Sequence, residues 1–292
     1  MSRSPPTPAA AQRAPEQQAE THQPATPSRQ EALDAKERGI RALLAEHGVE
    51  NEFHVIQSEP FIVIGDDSRR KVQRSVDRTI SYSVARLKRR YNFRDPAEVL
   101  EVWLFRNERS YRKYTRLLLD DDPDTPYGYY SPSRGALVMN IGTGGGTLIH
   151  EIVHPYIETN FPDCPAWFNE GLGSLYEASE YRGEHIFGVT NWRLPGLQKA
   201  IRRGGLTTFA DLTATTDSAF YRDDAGTNYA QARYLLYYLQ QEGLLDQYYR
   251  SFLAARRDDP TGYDTLVETL GRHEMEAFQD EWERWVLRLT WR

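Results

Sequence analysis

Residues 144–177 read GGGTLIHEIVHPYIETNFPDCPAWFNEGLGSLYE, and within them His150, Glu151, Ile152, Val153 and His154 form an HExxH sequence. On a helix, two histidines four residues apart stand one above the other, so both imidazoles reach a single metal ion. The intervening glutamate points to the neighbouring part of that face, where it touches a water on the metal without binding the metal itself. Leu148, Ile149, Ile152 and Val153 are apolar and bury this helix. Buried imidazoles need partners, and a metal satisfies both at once.

Zinc in a catalytic site takes a third protein ligand and keeps an open position. The best candidate is Glu170, in AWFNEGLG over 166–173. Pro165 suits the first turn of a second helix, and the run from Asn160 to Cys164 reads as the turn between two packed helices. Gly171 and Gly173 each weaken a helix by roughly 1 kcal/mol relative to Ala, so a helix that keeps both is read as needing close approach to the HExxH helix. Cys164, the single cysteine, lies in the connecting turn and is a geometrically poorer ligand. Glu177, two helical turns beyond Glu170, is read either as an acceptor for a histidine N–H or as a surface carboxylate. Pro155 removes a helix hydrogen bond and biases His154 away from helical dihedrals, so the helix is expected to kink or end at that ligand.

HEIVH followed by AWFNEGLGSLYE resembles the gluzincin clan of zinc metallopeptidases, above all its peptidase-MA-like branch with a W-x-x-E-G helix; the similarity covers residues 136–177. The resemblance implies a zincin-like α+β fold: a small mixed sheet with an active-site helix, followed by an all-helical C-terminal lobe. It implies Zn²⁺ held by His150, His154 and Glu170, with Glu151 as catalytic acid and base in peptide hydrolysis. Asn169 with Glu170 matches the Asn-Glu pair of the broader clan. The family's edge strand, which receives the substrate, corresponds to Ala136–Asn140. Its oxyanion donor, a Tyr or His from the helical lobe, is assigned to Tyr229. Only fifteen residues separate His154 from Glu170, fewer than in thermolysin-like members, which demands a tight connection. The longer metzincin motif is absent, because Ile157 and Asn160 stand where it needs Gly and His.

Around this stretch, 292 residues allow one or two domains. Residues 1–30 are rich in Pro, Ala, Gln and Ser and are expected to be a disordered tail; 31–190 form the catalytic domain and 191–292 the helical lobe. The tail lacks the apolar core of a secretory signal, so export is not supported and a cytoplasmic place is the default expectation. A net charge of −6 opposes a general nucleic-acid role, and no apolar run approaches a membrane span.

Val72, Val76, Ile80, Val84, Leu87 and Tyr91 recur at helical spacing, with Arg and Lys on the other faces read as a solvated surface. VLEVWLF (99–105) reads as an internal strand, Asp120–Asp124 as a solvated acidic loop, and Gly142–Gly146 as a flexible connector. Tyr229–Leu239 reads as an apolar helix, and Met275, Phe278, Trp282, Trp285 and Leu289 as an aromatic seam of core. The function expected is a zinc metallopeptidase acting on a peptide or protein. The alternatives are a turnover-dead protein of the same fold with zinc as a structural staple, and a metal-free module that binds an acidic partner through its basic helix.

Overall fold

A computed structural model describes residues 28–222 and 225–291. The tail assigned to 1–30 therefore lies outside the described residues except at its end, where Ser28 caps a helix α1 (Arg29–Glu46) with a reciprocal Ser28–Glu31 capping box. β1 (His54–Ser58) turns at Glu59-Pro60 into β2 (Phe61–Gly65), an antiparallel hairpin. The basic stretch is one helical run: α2 (Arg69–Ser75), a π-helical segment Val76–Ser81, and α3 (Tyr82–Tyr91). β3 (Leu100–Phe105), α4 (Glu108–Leu119), β4 (Gly128–Ser131) and β5 (Ala136–Asn140) complete the sheet.

The sheet is mixed, in the order β1-β2-β3-β5-β4, with β2, β3 and β5 parallel and β1 and β4 antiparallel at the two edges. Side chains alternate along each strand, which divides the core into two. Ile62, Ile64, Trp103, Phe105 and Val138 face α1 and α4. Phe61, Val63, Val102, Leu104, Leu137 and Met139 face the α2–α3 run and the HExxH helix, α5 (Gly145–Asn160).

The strand expected at the edge is not there. Ala136–Asn140 lies between β3 and β4, hydrogen-bonded on both sides, with all five residues buried. Its unbroken apolar run is what a fully buried strand requires. The turn from Ser131 to Gly135 folds β4 back antiparallel, and β4 takes the edge, with α5 packed against both strands.

α6 (Ala166–Glu177) follows a short turn and packs on α5. A hairpin the sequence did not announce, β6 (Ser179–Arg182) and β7 (His185–Gly188), leads into a part that is wholly helical: α7 (Leu194–Arg202), α8 (Phe209–Thr213), α9 (Asp217–Arg222), α10 (Ala225–Gln241), α11 (Leu245–Ala255), α12 (Tyr263–Leu270) and α13 (Met275–Arg288). One hydrophobic cluster runs from Val63 in the sheet to Trp282 and Val286 in α13, so the core crosses residue 190 without a break. The basic helix is partly internal glue. Arg90 pairs with Asp246 and the Ile186 carbonyl, and Arg89 pairs with Glu184 in the hairpin turn.

Glycines set how closely α6 is held on its two sides. A Cβ on Gly171 would lie 3.1–3.3 Å from Leu236 and Ala232 of α10, whereas one on Gly173 would lie 3.1 Å from the His150 ring. Only Gly173 therefore serves the approach to the HExxH helix; Gly171 serves α10. Gly146 is no flexible connector, because a Cβ there would stand 2.2 Å from the Glu177 carbonyl oxygen. The Gly146→Ala variant is expected to force α5 and α6 apart and to lower stability by ~2 kcal/mol or more, read by denaturant unfolding; an unchanged midpoint would refute this packing.

Candidate metal centre

His150, Glu151 and His154 are buried in the middle of α5, and the helix runs on past them to Asn160. Pro155 thus neither ends nor truncates it. The ring removes one N–H, but Tyr156 and Ile157 are wholly buried and hold the last turn, and Thr159 Oγ1 donates to the Pro155 carbonyl. α6 is fixed behind by Trp167, wholly buried against Phe252, with its indole N–H donating to the Thr261 carbonyl at 2.9 Å.

This packing brings His150, His154 and Glu170 together, with one candidate ligand atom from each all within 4.8 Å of one another. Glu170 Oε2 lies 3.0 Å from His150 Nε2 and 3.9 Å from His154 Nε2. Ligands about 2.0–2.1 Å from a tetrahedral zinc ion sit about 3.3 Å apart, so the spacing and the two-imidazole, one-carboxylate donor set fit such an ion. His154 Nδ1 donates to Asn169 Oδ1 at 2.9 Å, which leaves the Nε2 lone pair for a metal. Gly173 completes the cradle, since a Cβ there would stand 3.1 Å from the His150 ring and press it out of place. The cluster could hold a metal ion.

The two carboxylates are held differently. Burial acts to raise Glu170, but the His154 and His150 imidazoles and the Tyr221 hydroxyl overcome it and bring it down to about 2. Burial raises Glu151, against the pull of His150, His154 and, further down, the Tyr130 backbone. Its Oε2 lies 3.8 Å from His154 Nε2, outside the ligand trio. Two neighbouring carboxylates pushed apart in this way suit different tasks: one a permanent anion, the other a group that exchanges a proton.

Cys164 does not join the cluster. Its thiol donates toward the Pro165 carbonyl, and burial pushes its pKa well up, away from the thiolate that metals bind. Glu177 takes neither of the roles considered for it: half-buried, it accepts from Trp192 Nε1 at 3.3 Å and from the Arg193 guanidinium at 3.2 Å. The orienting acceptor for a histidine is Asn169.

Tyr229 does reach the site. Burial first, then the neighbouring Glu170, pushes its hydroxyl pKa up. A second tyrosine was missed: Tyr221, on α9, donates to Glu170 Oε1 at 2.8 Å. The segment that carries it has no long apolar period, and nothing in the sequence separates it from the other sixteen tyrosines. All of these groups line one cleft of about 1220 Å³, bounded on one side by β4 and on the other by Trp192, Arg193, Tyr221 and Tyr229. Among the described residues no helix is long and apolar enough to cross a membrane. Neither a scan against protein-family models nor a search of curated proteins finds a match to the chain.

Protein purified without a histidine tag is expected to carry one divalent ion per chain. Asn169→Ala should weaken zinc binding about 10- to 100-fold in competition with a chromophoric chelator. Equal affinity in the variant would remove Asn169 from the site.

Proposed function

We propose that this chain is a zinc-dependent peptidase with a zincin-like fold, hydrolysing a peptide bond in an extended polypeptide segment. The observation that carries the reading is the buried trio of His150, His154 and Glu170, with the Glu151 carboxylate beside it and outside the ligand set. A purely structural metal site has no use for a second carboxyl group, outside the ligand set, whose protonation is poised by burial. The edge strand β4 adds support, because it runs antiparallel to β5 and borders the cleft directly. Its outer backbone groups suit an incoming strand, bound with little demand on side-chain identity.

His150, His154 and Glu170 would hold the ion, which when bound supplies Lewis acidity to a carbonyl and makes a water nucleophilic near neutral pH. Glu151 accepts the proton of the attacking water and returns it to the departing amine. Tyr221 and Tyr229 have raised pKa values that keep both hydroxyls protonated, and one of the two turns its O–H from Glu170 to the oxygen that gains negative charge. Asn169 keeps His154 in its tautomer throughout.

Glu151→Gln should retain the metal and lose casein or mixed-peptide hydrolysis by orders of magnitude. If wild type and variant cleave equally, Glu151 is not the acid and base; if the wild type holds zinc and cleaves no peptide pool, the metal is a staple. Of Tyr221→Phe and Tyr229→Phe, the one that removes the oxyanion donor should cut kcat by about 10²- to 10³-fold, with both near wild-type kcat contradicting either role.

A further inference from the structure

Among the described residues, three of the six large hydrophobic side chains that are exposed border the cleft: Tyr127, Trp192 and Tyr221. Trp192 is the most open of them, at 52 % exposure, yet it is not free to swing. Its indole N–H donates to Glu177 Oε1, and one ring face lies 4.3 Å from the guanidinium carbon of Arg193. Arg193 is itself held. Its side chain is only 15 % exposed, its Nε and Nη2 donate to Glu177 Oε2, its backbone N–H donates to Asn191 Oδ1, and its guanidinium carbon lies 5.3 Å from the centre of the Tyr229 ring.

An aromatic ring that is exposed but fixed has given up most of the entropy that binding would otherwise cost it. Two features place this ring next to the reacting centre. Arg193 bridges Trp192 to Tyr229, and Tyr229 leans on Glu170, so two side chains separate the indole from a metal ligand. Glu177, the anchor, packs through its carbonyl against Gly146 at the start of α5, so Trp192 belongs to that end of the cleft. The opposite end is bordered by Glu158 and Asp163. From Gly146 to Glu158 the helix advances roughly 18 Å, room for about five residues of extended chain.

We propose that Trp192, braced by Arg193 and Glu177, is a specificity-determining platform that stacks a bulky apolar or aromatic side chain of the substrate, one or two residues from the scissile bond. The substrate class is then an unfolded segment rich in such residues and bound across the cleft from within a chain. This rests on the peptidase reading. The cation on the inner face of the indole leaves its outer face for the ligand, and the ion pair with Glu177 neutralises a charge that would otherwise favour acidic side chains.

The test uses paired peptides that differ only in carrying Phe or Ala at each position flanking the cleaved bond. At one position the wild type should prefer Phe by roughly fivefold to tenfold in kcat/KM, and Trp192→Ala should bring that ratio to within about twofold. Trp192→Phe should restore most of it. A ratio that survives in Trp192→Ala, or a wild type without any such preference, overturns the proposal. Calorimetric binding of the same peptides to Glu151→Gln and to the Glu151→Gln, Trp192→Ala double variant separates the two readings. A Trp192-dependent preference in binding, with no cleavage by wild type, sinks the peptidase and keeps the platform; cleavage with no Trp192-dependent preference does the reverse.

Discussion

The contact between α5 and α6 is the constraint on which the rest depends. Two histidines on one helix face can share an ion only if a third donor comes from outside that helix, and here it comes from a second helix held at glycine distance. Gly173 lies under the His150 ring and Gly146 under the Glu177 carbonyl, so the approach is fixed at both ends of the crossing. The sheet on one side and α10 on the other press the pair together, with Gly171 against α10 and Trp167 against α11. The same geometry that brings Glu170 to His150 leaves Glu151 beside the trio. The two carboxylates thus stand on different helices, Glu170 of α6 in the trio and Glu151 of α5 beside it.

The helical C-terminal part is more than a support. It contributes Tyr221 and Tyr229 to the site and the Trp192–Arg193 wall to the cleft, while β4 forms the wall opposite. A substrate lying between them would touch both halves of the chain, and the unbroken hydrophobic core from Val63 to Val286 holds those halves in register. Glu177 joins two tasks: its carbonyl packs the helix pair and its carboxylate braces the wall.

Much of this was legible from residue spacing. The i, i+4 histidines, the small-residue helix and the seams of α10 and α13 are local patterns with a helical period, and the structure forms those elements. Misreadings fell where tertiary pairing decides. Which of β4 and β5 takes the edge depends on how the 131–135 turn folds back; the buried run at Ala136–Asn140 was the available clue, since an edge strand seldom has all its residues enclosed. Glu177 shared a helix face with Glu170, but its partners, Trp192 and Arg193, lie across a hairpin that no strong strand signal marked. Pro155 illustrates a local penalty overridden by burial. Tyr221 was invisible because a six-residue helix carries too short a period to be read, and its role comes only from where α9 lies against α6.

Anomalous diffraction at the zinc edge, on crystals of protein purified without a histidine tag, addresses the central claim most directly. A single strong peak is expected about 2.0–2.2 Å from His150 Nε2, His154 Nε2 and a Glu170 carboxylate oxygen, with the Glu151 carboxylate beyond bonding distance. A peak bound instead through Cys164 or Glu151, or zinc-replete crystals with no peak between α5 and α6, would contradict it.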